Sequence, residues 1–355
     1  MEGLGALVWR ACGEEAKDLY AGALDCCAAL LQRSQAKERV ASFLRKDGRT
    51  ERVAIVRDLV TKVCPLLDDS FERSSHVVDV LKEVFAACDE FNEAWDDDLV
   101  ELFQAKTAST TVQGDDDGFE RRMWFYREGG KGTSVDDLRA PIETKHVAMN
   151  SAKNMLQGNT GCHCWEASFV LYEYVLTHRH SFQDKVCLEL GAGCGLLGVG
   201  LQRVNAKLAM FTDANEDSLD NLARNLRLNG IDARSLSLPS SEQNNASVYC
   251  GRLAWEEDQD CPFEFDVVLG SDITYDVDLV PCLAKLLKRI LCGKEGCQAF
   301  IAAMPRNEAT LEEFVKAVEG SDLKIQLLPW KPAPSFWLRA SPDLYKTKLF
   351  HITTT

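Results

Sequence analysis

The fold is decided by one stretch, Lys185-Val186-Cys187-Leu188-Glu189-Leu190-Gly191-Ala192-Gly193-Cys194-Gly195-Leu196. Its first six residues are mostly apolar and predict a short buried strand, while the run from 196 to 204 predicts a helix. Between them lie three glycines in G-x-G-x-G spacing. A glycine turn between a parallel strand and a helix brings a ligand close to the backbone and points the helix N-terminus at it. The stretch therefore predicts a site for a nucleotide-like ligand in an α/β fold.

The composition of the chain limits the classes of function. Its 355 residues are enough for two domains and a sizeable core. The 55 acidic side chains outnumber the 40 basic ones, and a net charge of -15 argues against direct binding of nucleic acid. No apolar run approaches the roughly 20 residues that span a bilayer, and the 14 cysteines come without a recognisable secretory signal. We therefore expect free thiols, no membrane partner and a location in the cytosol or nucleus, of which we select the cytoplasm. We also expect a monomer.

Two regions of different character follow from the patterning. Apolar residues recur at helical spacing through residues 1–106, which predicts a helical bundle. A segment rich in Thr, Ser and Asp, from 107 to 118, has the composition of a linker. We predict an all-α N-terminal domain over 1–110 and a second domain over 118–355. Two strands near 123–126 and 144–149 would form a small ribbon at the start of the second domain.

The second region alternates between strands and helices. Strands are predicted over 185–190, 207–212, 247–253, 265–270 and 298–303, with helices over 195–204, 217–228, 279–291 and 309–318. Repeated β-α units require parallel pairing in a sheet that is covered on both faces. Two further strands, near 324–328 and 346–352, have no helix between them, so they should form an antiparallel pair at the sheet edge. The prediction is a doubly wound, Rossmann-like α/β sheet of seven strands with an antiparallel edge strand.

Acidic residues near the strand ends indicate the chemistry of the ligand. Asp213 ends the second strand, about 20 residues past the glycines, where such folds bind both hydroxyls of a ribose. Glu189 precedes the first glycine, and its charge would repel a pyrophosphate but suit a cationic ligand. Asp272 and Tyr275 follow the fourth strand, whose carboxyl end is where such folds bind ligands. Trp255 could flank an adenine ring or belong to the core.

A short cysteine and histidine cluster superficially suggests zinc. It consists of Cys162-His163-Cys164, followed by His178 and His180. Structural zinc sites usually space their cysteine pairs C-x2-C or wider, and no second pair follows at a matching distance. We therefore predict no metal site and expect these cysteines to pack or to line a turn.

Together these features resemble the S-adenosylmethionine-dependent methyltransferases of the seven-strand class. Residues 189–195 match the first motif of that class, and Asp213 matches its ribose acid. Three further features narrow the resemblance to the family 16 protein-lysine methyltransferases: Trp165, Leu253-Ala254-Trp255 and Asp272-Ile273-Thr274-Tyr275. Within that branch, the helical N-terminal region and the run 306–314 are most similar to the elongation factor 2 lysine methyltransferases. The resemblance covers about residues 140–352.

The resemblance implies an enzyme that transfers a methyl group from S-adenosyl-L-methionine to a lysine of a protein substrate, with elongation factor 2 expected. It implies that Asp272 orients the lysine amine and that Tyr275 shapes the lysine slot. The cofactor-binding residues it implies are Trp165, Glu189, Gly191, Ala192, Gly193, Asp213, Trp255 and Ser271. Ala254 departs from the usual Asp before the Trp and cannot accept a hydrogen bond from the adenine amino group.

Several alternatives stay open at the level of sequence. The substrate could be another protein, such as calmodulin or a chaperone. The chain could be a non-catalytic, cofactor-binding interaction protein, although the pair of Asp272 and Tyr275 argues against this. An NAD-type oxidoreductase is disfavoured by the glycine spacing and by Glu189. Whether Asp272 contacts the lysine or the methionine end of the cofactor is also open, as is the role of the helical domain.

Overall fold

The computed structural model describes most of the chain. The described residues are 36–46, 51–63, 75–91, 100–102, 119–126, 145–152, 159–236, 246–257, 263–333 and 342–355, with single positions between 19 and 27 and at 104. The chain divides into two compact units, one of Met1–Ala148 with Ala333–Ala340 and one of Met149–Pro332 with Ser341–Thr355. The predicted linker at 107–118 lies outside the described residues, and the domain limits of 1–110 and 118–355 stay predictions.

The N-terminal part of the first unit is helical wherever it is described in detail. Its helices are α1 (Ala36–Arg45), α2 (Glu51–Val63) and α3 (Ser75–Phe91). Each contributes apolar side chains to one common core, in which Leu44, Leu59 and Leu81 are almost fully buried. The helical spacing of apolar residues places them on one face of each helix. The prediction of a helical N-terminal region is confirmed.

Two strands follow the helices in the chain. They are β1 (Phe119–Tyr126) and β2 (Lys145–Ala152), which pair as a two-stranded sheet. This is the predicted ribbon, and each strand is longer than its apolar pattern alone indicated.

A mostly parallel sheet of eight strands, counted over the described residues, forms the second unit. In chain order its strands are β3 (Val186–Leu190), β4 (Leu208–Asp213), β5 (Arg234–Ser235), β6 (Val248–Arg252), β7 (Val267–Ser271), β8 (Gln298–Ala303), β9 (Leu323–Leu327) and β10 (Lys348–Thr354). In space the order is β5-β6-β4-β3-β7-β8-β10-β9. Neighbours from β5 to β8 pair in parallel, whereas β10 pairs antiparallel with both β8 and β9. The doubly wound sheet and its antiparallel edge pair are confirmed. The two-residue β5 was not predicted. Strand β10 lies between β8 and β9, so β9 forms the edge of the sheet.

Helices cover the parallel strands of this sheet. They are α4 (Glu166–Thr177), α5 (Leu196–Arg203), α6 (Glu216–Leu228), α7 (Val280–Gly293) and α8 (Glu308–Gly320). Apolar residues of α7 and α8 share one core with residues of β3, β7, β8 and β10. In β3 the side chains of Cys187, Leu188 and Leu190 are fully buried, as expected for a central parallel strand that is covered on both faces.

Candidate active site

The site lies where the sheet reverses its direction of growth. From β3 the chain proceeds outward to β4 and β6, and it then returns to β7, on the other side of β3, before reaching β8. Open α/β sheets bind ligands outside the carboxyl ends of the strands at such a switch point. A cavity of about 550 Å³ opens there. All ten residues that the sequence singled out line it: Trp165, Glu189, Gly191, Ala192, Gly193, Asp213, Trp255, Ser271, Asp272 and Tyr275.

The glycine turn between β3 and α5 depends on backbone angles that favour glycine. Gly191, Gly193 and Gly195 have φ values of 60°, 51° and 80°, in the left-handed region where a side chain is strained. Gly193 also lacks space, because a Cβ atom there would lie 2.8 Å from the carbonyl oxygen of Gly161. The turn therefore presents bare backbone to the cavity, directly before the N-terminus of α5.

Asp213 is fixed by backbone donors at the end of β4. Its Oδ2 accepts a hydrogen bond from the N–H of Gly193 at 3.0 Å, and its Oδ1 accepts one from the N–H of Asn215 at 3.0 Å. Burial raises the pKa of this carboxyl, and the backbone donors oppose that rise. A carboxylate has about four lone-pair sites, so each oxygen can still accept a hydroxyl. The arrangement fits the two hydroxyls of a ribose.

Glu189 is a buried carboxyl that faces the cavity. The residue is 1% exposed, and its Oε2 has no hydrogen-bond partner among the described residues. Burial, with a smaller effect from the charge of Asp213, raises the pKa of Glu189 well above its ordinary value. A buried polar atom without a partner among the described residues, in the wall of a cavity, is available to a ligand. A cation there would favour the ionised carboxylate.

Asp272 lies at the end of β7 in a left-handed backbone conformation, with φ of 57°. Its Oδ1 accepts a hydrogen bond from the N–H of Met304 at 3.0 Å, and its Oδ2 lies 2.7 Å from Nη2 of Arg306. Arg306 also lines the cavity. By contrast, Tyr275 is 67% exposed, which puts this aromatic side chain at the rim of the cavity.

The two tryptophans stand at different parts of the cavity wall. Trp165 precedes α4, and its Nε1 donates a hydrogen bond to the carbonyl oxygen of Thr160 at 3.0 Å. The guanidinium of Arg306 lies over the Trp165 ring, 4.6 Å from its centroid. The indole of Trp255 lies beside Gly191, since a Cβ atom on that glycine would be 3.5 Å from Cζ2 of the indole.

Sequence reasoning missed several lining residues. Among them are Thr160, Gly161, Asn215, Ser218 and Arg306. Asn215 caps α6, where its side chain accepts a hydrogen bond from the N–H of Ser218 at 3.1 Å. An Asn before an amphipathic run is a capping signal, so the sequence could have indicated that Asn215 begins this helix. Arg306 lies three residues after β8, and no local signal marked it as part of the site.

The described residues contain no group of three or more His, Cys, Asp or Glu side chains that could hold a metal ion. The ring Nδ1 of His163 lies 3.4 Å from the hydroxyl of Ser151, and the thiols of Cys162 and Cys164 are buried. As for membranes, none of the described helices has the length and apolar character needed to cross one.

The fold is that of a doubly wound α/β protein, and its cavity lies where such proteins bind nucleotide-like ligands. The sequence profile of a lysine methyltransferase family matches residues 144–321. Since the match covers half of the chain, the protein belongs to this lysine methyltransferase family.

Curated relatives agree with the family. The protein-lysine N-methyltransferase EFM3 of Chaetomium thermophilum is 30% identical over 191 residues, which are 51% of this chain and 54% of that protein. The protein-lysine N-methyltransferase EEF2KMT of Mus musculus is 26% identical over 182 residues, 48% of this chain and 52% of that protein. A calmodulin-lysine N-methyltransferase of Arabidopsis thaliana is 26% identical over 165 residues, 45% of this chain and 51% of that protein. The chain spans about half the length of these relatives.

S-adenosyl-L-methionine is the cofactor of this family, and the residues present fit it. Asp213 offers two oxygens to a ribose, and Gly193 leaves no room for a side chain where a ligand would approach the backbone. The unpartnered Oε2 of Glu189 suits a ligand that carries positive charge. A pyrophosphate ligand, by contrast, would be repelled by this carboxyl.

Proposed function

We propose that the protein is a protein-lysine N-methyltransferase that acts on elongation factor 2. The observation that carries the proposal is the meeting of the glycine turn, Asp213 and the pair of Asp272 and Tyr275 in one cavity. Membership of a lysine methyltransferase family supports the reaction. Similarity to EFM3 and EEF2KMT, together with the resemblance of the sequence to the elongation factor 2 methyltransferases, supports the substrate.

The residues of the cavity divide into cofactor-binding and acceptor-binding groups. Asp213 would hold the ribose, the backbone of the glycine turn would face the cofactor, and Glu189 would hold a positively charged group. Trp255 would cover an apolar face of the cofactor. When bound, S-adenosyl-L-methionine supplies a methyl group that is already activated by its positive sulfur. The protein therefore has mainly to position the acceptor and to help remove its proton.

The acceptor side of the cavity suits a lysine. A free lysine has a pKa near 10.4 and is almost fully protonated at neutral pH, so its ammonium must lose a proton before it can accept a methyl group. Asp272 is a buried carboxylate that holds a cation at its Oδ2, which is what an approaching ammonium requires. Tyr275 at the rim offers an aromatic surface to the alkyl stem of the lysine.

Radiolabelled methyl transfer tests this proposal directly. Purified elongation factor 2 and calmodulin are offered separately as acceptors, and we expect label in the lysine side chains of elongation factor 2. Label in calmodulin alone would refute the proposed substrate while keeping the reaction. No label in either acceptor or in a whole lysate would refute the activity.

The variant Asp272→Asn tests the role of the carboxylate within the same assay. Asn tolerates a positive φ and can still accept the hydrogen bond from the N–H of Met304, so the fold should persist. We expect methyl transfer to fall by about 100-fold, the loss typical of a misplaced reacting group. The melting temperature, followed by circular dichroism, serves as the control for folding. A fully active variant would remove Asp272 from the mechanism.

A further inference from the structure

The acceptor end of the cavity already holds a cation that belongs to the protein. Arg306 places Nη2 2.7 Å from Oδ2 of Asp272, and its guanidinium lies over the ring of Trp165 at 4.6 Å from the centroid. A carboxylate and an aromatic face are also the two groups that recognise a lysine ammonium. The side chain of Arg306 thus lies in an environment that would suit the substrate's own lysine.

The two partners of this ion pair are held very differently. The N–H of Asp272 donates to the carbonyl oxygen of Ala302 at 2.8 Å, and its Oδ1 accepts from the N–H of Met304 at 3.0 Å. Its side chain is 5% exposed, whereas that of Arg306 is 44% exposed. The carboxylate is therefore the fixed partner, and the guanidinium, at the end of a long and partly solvated side chain, is the partner that can leave.

Departure of Arg306 is costly unless another cation replaces it. A buried carboxylate that loses its ion-pair partner is strongly destabilised. An incoming lysine ammonium restores the pair, whereas a neutral side chain does not. Exchange of one cation for another at Asp272 therefore favours entry of a positively charged acceptor over any other.

We propose that Arg306 occupies the lysine position in the free enzyme and is displaced by the substrate, so that it acts as a specificity-determining gate. This inference rests on the proposed function, because it assigns the acceptor position to Asp272. The gate lowers the apparent affinity for every acceptor, since each acceptor must first displace the guanidinium. It lowers that affinity least for a cationic acceptor.

Two variants of Arg306 separate a gate from a fixed part of the site. Arg306→Met keeps an unbranched apolar side chain but removes the competing charge, so KM for elongation factor 2 should fall by about tenfold. Arg306→Lys keeps a displaceable cation and should restore a KM close to that of the parent. Binding of elongation factor 2, measured by calorimetry with S-adenosylhomocysteine present, should tighten for Arg306→Met by a similar factor, without any turnover.

Either of two results would overturn the gate. One is a KM and dissociation constant for Arg306→Met that equal or exceed those of the parent. The other is a fall in kcat with KM unchanged, which would make Arg306 a fixed positioning residue. Affinity for S-adenosylhomocysteine equal to that of the parent shows that each variant is folded. A parent enzyme that neither binds nor methylates elongation factor 2 refutes the proposed function instead, so the two failures are distinguishable.

Discussion

Gly193 combines a backbone angle that favours glycine with a place in the wall of the cavity. Replacement by Ala adds a Cβ atom 2.8 Å from the carbonyl oxygen of Gly161 and forces a side chain into the left-handed region. We expect Gly193→Ala to weaken S-adenosylhomocysteine binding by at least about tenfold, equivalent to about 1.4 kcal/mol, in a calorimetric titration. Gly193→Arg should abolish the binding.

Gly296 provides the matched control for this change. Its φ of 77° also lies in the left-handed region, but a Cβ atom there would meet no atom within 4 Å. Gly296→Ala should therefore cost roughly 1 kcal/mol of stability and leave ligand affinity unchanged. Equal affinity losses in both variants would show that backbone strain alone, and not crowding at Gly161, explains the effect.

Replacement of Glu189 tests how much a buried carboxyl lowers the free energy of unfolding of the ligand-free protein. Its pKa lies well above the ordinary 4.5, because burial, and then the charge of Asp213, penalises the ionised form. The folded protein therefore keeps a proton that the unfolded chain has lost, so the contribution of Glu189 to the free energy of unfolding falls as pH rises above about 4.5. Gln carries no such penalty. The melting temperature of Glu189→Gln relative to the parent should thus be higher at pH 8 than at pH 5.

Thermal unfolding of the ligand-free protein, followed by circular dichroism, provides this measurement. Glu257→Gln is the control, since Glu257 is exposed, paired with Arg252, and has a lowered pKa. It should show no gain that grows with pH. A Glu189→Gln effect that is the same at both pH values would mean that the carboxyl does not titrate as its burial indicates.

At the scale of single residues, the sequence was sufficient to select the side chains whose position is set by the strand that they follow. Glu189, Asp213 and Asp272 each stand at or beside the carboxyl end of a parallel strand, so their meeting follows from the β-α alternation alone. Arg306 reaches the cavity from the loop after β8, and Gly161 from a short 3-10 helix before α4. Because loop paths depend on packing and not on a period, no pattern in the sequence predicted their contacts.

At the scale of elements, one buried side chain joins a helix, a strand and the glycine turn. Asn225 of α6 is fully buried, and its Oδ1 accepts from the N–H of Asn150 in β2 at 2.7 Å. Its Nδ2 donates to the carbonyl oxygens of Asn150 at 3.1 Å and of Cys194 at 3.0 Å. The end of β2 and the glycine turn are therefore both held by α6.

Removal of this connection should destabilise the protein more than an ordinary capping change. Asn225→Ala leaves part-buried backbone groups without this partner, at about 1–3 kcal/mol each, so we expect a loss of about 3 kcal/mol in urea unfolding. Asn307→Ala is the control: Asn307 is an exposed cap of α8 that accepts from the N–H of Ala309, and its loss should cost about 1 kcal/mol. Losses of the same size would contradict a linking role for Asn225.

The elements that the sequence predicted are those with a strong apolar period. The strands and helices from β3 to α8 agree with their apolar patterns, apart from β5, which has two exposed residues and hence no period at all. The position of β10 between β8 and β9 could not be predicted from the sequence either. An antiparallel pair can join a sheet through either strand, and the apolar pattern does not distinguish the two. In the structure, Phe350 and Ile352 of β10 belong to the core that contains residues of α7 and α8.

At the scale of the whole molecule, the family match does not include the N-terminal helices. The match begins at residue 144, whereas α1, α2 and α3 lie well before it and have their own core. The apolar spacing was enough to predict that core, since a helical face needs only local sequence. The apolar spacing does not say what the helices bind.

Separation of the two regions tests whether the cofactor site needs the N-terminal helices. Every described residue that lines the cavity lies between 160 and 306, inside the unit that comprises Met149–Pro332 and Ser341–Thr355. We therefore expect the fragment 118–355 to bind S-adenosylhomocysteine with a dissociation constant within about threefold of that of the full chain, a difference below roughly 1 kcal/mol. The same fragment carrying Gly193→Ala is the control and should bind at least about tenfold more weakly than the unsubstituted fragment. A folded fragment without affinity for the ligand would mean that the first 117 residues contribute to the site, and that the domain boundary predicted from composition does not separate its parts.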